Sequence, residues 1–277
     1  MTTEAPTIEL NNGVEIPQVG FGVFLIRPED TVEAVSEALR VGYRHIDTAQ
    51  MYGNERQVGE AIRRSGIDRG QVFVTSKLSN QQRTYDDALR SVDRSLSLLG
   101  LEPVDLFLIH WPLPTVRDFI DVWRGLIGVY EEGRARAIGV SNFQIPHLER
   151  LLSETEVAPA INQIELHPYL AQEPLRTFGA DHRIVTEAWS PLGRARLLDD
   201  PVIGRVAKQA GRSPAQVILR WHLQLGNVII PKSVHPERIK ENFQIFDFSL
   251  SDPDMRELAG LDRGRRFGPD PDTFTGR

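Results

Sequence analysis

Along the chain the apolar positions switch repeatedly between two spacings: short continuous or alternating runs that suit strands, and three-and-four spacing that suits amphipathic helices. Residues 7–18 predict a hairpin around Asn12-Gly13, because that residue pair tolerates the positive φ of a tight turn. A short strand over 19–22 follows. The stretch 28–41 opens on Pro28, Glu29 and Asp30 and places Val32, Val35, Ala38 and Leu39 at helical spacing, so it predicts the first helix. The alternation then continues, with strands over 43–47, 71–76, 104–109, 135–140, 160–164, 183–188 and 227–230. The helices between and after them cover 54–65, 84–99, 118–132, 145–153, 172–182, 201–211 with 214–225, and 236–243, and Gly66 and Gly100 stand where helix C-caps belong. Strands separated by helices must pair in parallel, and eight strand-helix units in roughly 250 residues is the size of a closed (β/α)8 barrel. The expectation is an α/β protein: a (β/α)8 TIM barrel with an N-terminal β-hairpin, a short helix over 253–260 and a short C-terminal tail. No linker divides residues 1–277, so one domain is expected.

Composition narrows the classes. With 40% hydrophobic and 25% charged residues the chain resembles an ordinary globular protein with a sizeable core. It has no apolar run long enough to span a bilayer, and Met1-Thr2-Thr3-Glu4-Ala5-Pro6 lacks the basic and apolar regions of a signal peptide, so a cytoplasmic protein without a membrane partner is expected. The absence of cysteine removes thiol nucleophiles, disulfides and cysteine-ligated metal sites together. A net charge of -6 argues against nucleic acid as a partner, though a local basic patch can still hold one phosphate.

In a barrel of this kind the chemistry sits at the C-terminal ends of the strands. Strands two to four end at Asp47, Lys77 and His110, and Tyr52 follows Asp47 on the same strand-to-helix loop. A phenol is a poor acid near neutrality unless something favours its anion, and the Lys77 ammonium is the candidate to lower its pKa. Asp47 would keep that ammonium charged and oriented, and a ring nitrogen of His110 could donate to a carbonyl oxygen. Tyr52 would then give a proton to an oxygen that becomes an alkoxide as hydride reaches carbon. The other histidines, His45, His147, His167, His182, His222 and His235, show no metal-ligand spacing, so structural or solvent roles are expected for them and a metal for none.

Strands five to eight end in mostly neutral hydrogen-bonding groups: Ser141-Asn142, Gln163, Trp189-Ser190 and Lys232-Ser233. Hydride points to a nicotinamide, yet Gly20-Phe21-Gly22-Val23 lacks the third glycine of the dinucleotide fingerprint and there is no Walker sequence. The segment Ile230 to Asn242 offers instead a strand end running into a helix start, with hydroxyl, amides and the cations Lys232 and Arg238, at a position that recurs as a barrel phosphate site.

At these residues the sequence resembles the aldo-keto reductases, in particular the bacterial branch containing 2,5-diketo-D-gluconate reductases. The resemblance spans nearly the whole chain. It is carried by Gly42-Tyr43-Arg44-His45-Ile46-Asp47-Thr48-Ala49, Tyr52-Gly53-Asn54-Glu55, Thr75-Ser76-Lys77-Leu78, Val104-Asp105-Leu106 to His110-Trp111-Pro112, Ile138 to Phe143, Asn162 to Pro168 and Ile230-Pro231-Lys232-Ser233. It implies NADPH (or NADP) lying extended across the strand ends, and reduction of aldehydes or ketones to alcohols, with dicarbonyl compounds and keto sugars among the candidate substrates. By motif position it implies Tyr52 as acid, Asp47 and Lys77 as its tuners and His110 as the carbonyl-orienting group. Ser141, Asn142 and Gln163 would hold the carboxamide, and Trp189 would stack on the ring. Gly22, Val23, Ser190, Leu192, Lys232, Ser233, Val234, Arg238, Glu241 and Asn242 would surround the rest of the cofactor, and Phe24, Ser79, His110 and Trp111 would meet a small-molecule carbonyl substrate. A monomer is expected.

Ser79 stands where this branch commonly has tryptophan, the segment Trp111 to Arg117 is short, and the tail after Gly260 is compact, so a widened, open pocket suited to bulky carbonyls is expected. Two other classes compete: a cofactor-binding sensor on the same barrel, and a barrel hydrolase or isomerase. The intact set Tyr52, Lys77, Asp47 and His110 argues against the first, and the lack of a Gly-x-Ser-x-Gly elbow or a metal cluster argues against common forms of the second.

Overall fold

A computed structural model describes residues 5–276, so the part of the amino-terminal expectation drawn from Met1 to Glu4 lies outside it. The hairpin pairs β1 (Thr7–Glu9) with β2 (Glu15–Pro17). The barrel strands are β3 (Phe21–Gly22), β4 (His45–Asp47), β5 (Phe73–Leu78), β6 (Val104–Ile109), β7 (Ala135–Ser141), β8 (Ile161–Glu165), β9 (Val185–Trp189) and β10 (Val228–Ile229), all parallel and in sequence order. The sheet closes where Val19 bridges Ile229 and the N–H groups of Gly20 and Gly22 donate to the carbonyls of Ile229 and Pro231. A Cβ on Gly22 would stand 2.9 Å from the Ile230 carbonyl oxygen, so the seam requires glycine there.

The helices between the strands are α1 (Pro28–Val41), α2 (Glu55–Ser65), α3 (Tyr85–Leu99), α4 (Phe119–Glu131), α5 (Ile145–Glu154), α6 (Glu173–Asp181), α7 (Pro201–Ala210), α8 (Pro214–Gln224) and α9 (Pro236–Phe243), with α10 (Asp252–Ala259) beyond the barrel. Their starts follow the sequence chemistry: Thr84 and Ser213 close capping boxes on α3 and α8, and Asp200 accepts from the N–H groups of Val202 and Ile203 at the head of α7. Boundaries differ from expectation by one or two residues, most at β5. That strand begins at Phe73 rather than at 71, because Arg69–Gln71 forms a 3-10 turn whose arginine is held by Asp105 at 2.6 Å. Lys77 therefore lies inside the strand and not after it.

Residues two apart on a strand point the same way, and this sorts the barrel into layers. Ile46, Val74, Leu78, Phe107, Ile109 and Val140 face the helices in the main core. Phe73, Leu106, Leu108, Ala137, Ile161 and Val228 face inward and pack against Leu10 and Ile16 from the hairpin, which seals that end of the barrel with an apolar plug. Above the plug the inward positions turn polar, with His45, Asp47, Thr75, Lys77, Gln163 and Glu187, all buried.

Candidate active site

At the C-terminal ends of the strands the inward polar layer opens into a cavity of about 1140 Å³, with Asp47 and Gln163 in its lining. At its floor Lys77 Nζ donates to Asp47 Oδ1 at 2.6 Å and to the Thr48 carbonyl at 2.9 Å, with both side chains of the pair almost wholly removed from solvent. Tyr52 stands above them on the 3-10 turn Gln50–Tyr52, its ring centroid 5.2 Å from Lys77 Nζ. Gln50 fixes that turn. Its amide nitrogen donates to the Ser91 carbonyl at 2.7 Å and to Ser95 Oγ at 2.9 Å, and its oxygen accepts from the Ser79 N–H at 2.9 Å. Gly53, at φ 69°, then ends the turn in the left-handed region. The His110 ring stands edge-on to Tyr52 with centroids 5.7 Å apart.

The electrostatics differ from the sequence expectation at the phenol. Burial pushes Tyr52 up to about 12; Lys77 pulls it down as expected, but Asp47 pushes it up again. The net effect is a phenol that stays protonated, not one with a lowered pKa, because desolvation was invisible in the sequence. Burial would lower the Lys77 ammonium, but Asp47, Tyr52 and Glu187 together outweigh it and hold the amine charged. Burial, reinforced by the charges of Lys77 and Arg117, drives His110 well below its usual value, so its imidazole is neutral and retains one N–H donor.

The neutral group of strand ends is spoken for largely within the protein. Gln163 spends both amide hydrogens, one on Asp47 Oδ2 at 2.8 Å and one on Glu187 Oε2 at 2.9 Å, and its side-chain oxygen Oε1 accepts no hydrogen bond among the described residues. Asn142, at φ 65°, donates to the His110 carbonyl at 2.9 Å and accepts from the Trp189 indole at 2.8 Å, so it orients the ring and the loop behind the imidazole. At the far end of the cavity Lys232, Ser233, Arg238, Glu241 and Asn242 line the wall, with Gly22, Ser190 and Leu192 between.

Three expected residues are placed elsewhere. Val23 is fully buried and donates its N–H to the Asp47 carbonyl, and Val234 faces a separate groove between α1 and α9. Ser79 lies outside the cavity lining, its backbone turned to Gln50, so it does not open the pocket; Asn80 and Met51 line that side. The tail also reverses the expectation of an open mouth. Phe267, Gly268, Pro269 and Phe274 line the cavity, and Phe274 packs on Trp111 with centroids 4.5 Å apart. Arg117 reinforces the closure by donating to the carbonyls of Trp111 and Gln82, which ties the 111–117 loop to the loop after β5. No sequence spacing signals this docking, because Glu165, the residue that anchors the tail, is 102 positions from Phe267.

Glu165 accepts the N–H groups of Phe267 at 2.7 Å and Gly268 at 3.0 Å and contacts His167 Nε2 at 3.1 Å. Burial would raise its carboxyl, but His167 and the two N–H groups outweigh it and hold it below the ordinary value. A depressed folded-state pKa contributes stability that is present above the unfolded value and is lost as pH falls through the folded one. Glu165→Gln is therefore expected to weaken tail docking by about 1.5–3 kcal/mol. Faster hydrogen exchange at Phe267 and Gly268 measures it, and unchanged exchange would show that the aromatic contacts alone hold the tail.

Three further histidines have local partners: His45 Nε2 lies 3.1 Å from Thr75 Oγ1, His222 Nε2 lies 3.3 Å from the Pro191 carbonyl and His182 stacks on Phe178. Among the described residues no group of three or more His, Asp or Glu is arranged to hold a metal ion, and no helix is long and apolar enough to cross a membrane.

Comparison with known proteins places this geometry. The model of the aldo/keto reductase family matches residues 20–263. The chain is 52% identical over 270 residues to an aldo-keto reductase of Mycolicibacterium smegmatis, covering 98% of each, and 51% identical to morphine 6-dehydrogenase of Pseudomonas putida, covering 98% of this chain and 96% of that one. Its fold superposes with a TM-score of 0.93 on a crystal structure of a Gox0644 mutant in complex with NADPH, at 44% identity and with 98% of each chain covered.

Proposed function

The chain belongs to the aldo/keto reductase family, and on that premise we propose that Tyr52, Lys77, Asp47 and His110 are the groups that carry out its NADPH-dependent reduction of aldehydes and ketones to alcohols. The observation that carries the assignment is the buried Lys77–Asp47 pair directly beneath a protonated phenol and a neutral imidazole.

The residues present fit the cofactor. The free side-chain oxygen of Gln163 suits a carboxamide N–H, the indole of Trp189 is fixed by Asn142 as a stacking face, and Lys232 and Arg238 supply cations for phosphates at the other end of the cavity. When bound, the nicotinamide supplies the hydride. His110 donates its N–H to the substrate carbonyl and sets its direction. Tyr52 gives its proton to the oxygen as negative charge develops there, an alkoxide being a stronger base than a phenolate. Lys77, held charged by Asp47, stabilises the phenolate left behind.

The walls above the floor are aromatic and apolar: Phe24 lies 5.0 Å from Tyr52 between centroids, Trp111 and Phe274 face it, and Leu25 and Met51 are exposed at the rim. They support bulky or aromatic carbonyl compounds as substrates, in line with the substrate class named for the morphine 6-dehydrogenase relative. Residues 1–277 acting as a single domain, a monomeric state, a cytoplasmic location and no nucleic-acid partner complete this reading.

The test pairs a fluorescence titration of NADPH with an absorbance assay on a panel of carbonyl compounds. Arg238→Ala is expected to weaken NADPH binding by about 1.5–3 kcal/mol and NADH binding much less, since the charge-assisted bond to the 2′-phosphate exists only for NADPH. Equal losses for the two would place the arginine away from that phosphate.

A further inference from the structure

Beneath these four residues lies an acid that the reaction as described does not use. Glu187 sits in the middle of β9, fully buried, with Gln163 as its register neighbour on β8. Its Oε2 accepts one hydrogen of the Gln163 amide while Asp47 accepts the other. Among the described residues its Oε1 has no hydrogen-bond partner, and it lies 3.7 Å from His45 Nε2, which is itself 3.1 Å from Thr75 Oγ1. The groups facing it are thus Asp47 and His45 from β4, Lys77 from β5, Gln163 from β8 and Tyr52 from the turn above, while its register partner on β10 is the apolar Val228.

With both carboxyls ionised, Lys77 would be one cation against two anions in a space sealed below by the apolar plug. A net buried charge of that kind is costly, and a proton on Glu187 removes it. Burial, followed by repulsion from Asp47, accordingly pushes Glu187 up to about 8. His45 offers no compensating charge, since burial and then Lys77 drive it down to about 3.

Glu187 also lies two residues before Trp189, so both side chains face the barrel interior. We infer that Glu187 is a proton-linked positioning residue for the nicotinamide. It keeps its proton over the reduced, uncharged ring and releases it when the oxidised, cationic ring is bound, so that it favours NADP+ over NADPH increasingly as pH rises. The inference rests on the cofactor placement proposed above. In balanced form, enzyme with Glu187–COOH plus NADP+ gives the complex with Glu187–COO− plus H+; the carboxyl O–H bond breaks, the proton goes to solvent and no electron moves. Gln163 links this charge to Asp47, because one amide holds both carboxyls.

The experiment measures dissociation constants of NADP+ and NADPH by quenching of tryptophan fluorescence from about pH 6.5 to about pH 9.5. Ionisation of the 2′-phosphate is common to both dinucleotides and cancels in their ratio. In the wild-type enzyme the ratio of the NADP+ constant to the NADPH constant is expected to fall at least about fivefold across that range, and in Glu187→Gln less than about twofold. A flat ratio in the wild type, or the same fall in the variant, overturns the role of Glu187. A second measurement needs no variant: in weak buffer with an indicator dye, saturating NADP+ should release up to about one proton per chain more than saturating NADPH does near neutrality, the release common to both coming from the 2′-phosphate. Equal release by the two, or none by either, also overturns it. Failure of both dinucleotides to bind at any pH would instead overturn the cofactor placement, an outcome distinct from tight binding with a flat ratio.

Discussion

Tyr52→Phe is expected to lower kcat for carbonyl reduction by about 10²–10⁴-fold while leaving the NADPH dissociation constant within about twofold of wild type. The substitution removes one oxygen from a ring whose packing against Phe24 and His110 is otherwise kept, so the shape of the site survives and the proton donor does not. Because burial holds the phenol up to about 12, the wild-type donor is intact throughout the neutral range, and loss of rate in the variant should be independent of pH there. NADPH consumption followed by absorbance and cofactor titration by fluorescence check the two halves separately. Full turnover in the variant would remove Tyr52 from the mechanism.

Lys77→Met is expected to have two large effects at once. It strands the Asp47 carboxylate in the barrel interior beside Glu187, at a cost of about 3–5 kcal/mol in stability, and it removes the charge that offsets desolvation of the Tyr52 phenolate. The two effects separate in the double variant Lys77→Met with Asp47→Asn. Removing the stranded charge should recover most of the stability, whereas turnover should stay low. Urea midpoints and kcat on the wild type, both single variants and the double variant give the answer. A double variant with restored turnover would show that Lys77 serves only to neutralise Asp47.

Much of the fold was legible because a barrel strand writes its two faces into alternate positions. Asp47 and Lys77 read as ionisable strand ends brought together inside the barrel, and the structure places the two side chains 2.6 Å apart in its interior. What stayed hidden depends on contacts that no local pattern records. The start of β5 is set by Arg69 reaching Asp105, and the docking of the tail by Glu165 reaching Phe267, each across a long stretch of chain. The sign of the net shift at Tyr52 depends on desolvation, which exists only after folding. Ser79 was read as pocket wall from its place after Lys77, but the strand runs two residues further than expected and turns that backbone toward Gln50. Glu187 did leave a trace, an acid between Thr186 and Ala188 at the same parity as Trp189, and inward parity in a barrel strand is the signal that finds it.

The apolar plug made by the hairpin has a consequence for traffic. With Leu10 and Ile16 sealing the hairpin end, the cavity opens at the C-terminal ends of the strands. Exposure falls steeply along it, from Leu25 at 76% and Phe24 at 48% on the rim to Gln163 at 2% on the floor. On the cofactor placement proposed above, a dinucleotide whose ring reaches that floor enters before the carbonyl compound that sits over it, and the alcohol leaves before the spent dinucleotide. On that placement the order of arrival and departure follows from a hairpin at the opposite end of the molecule from the reacting atoms.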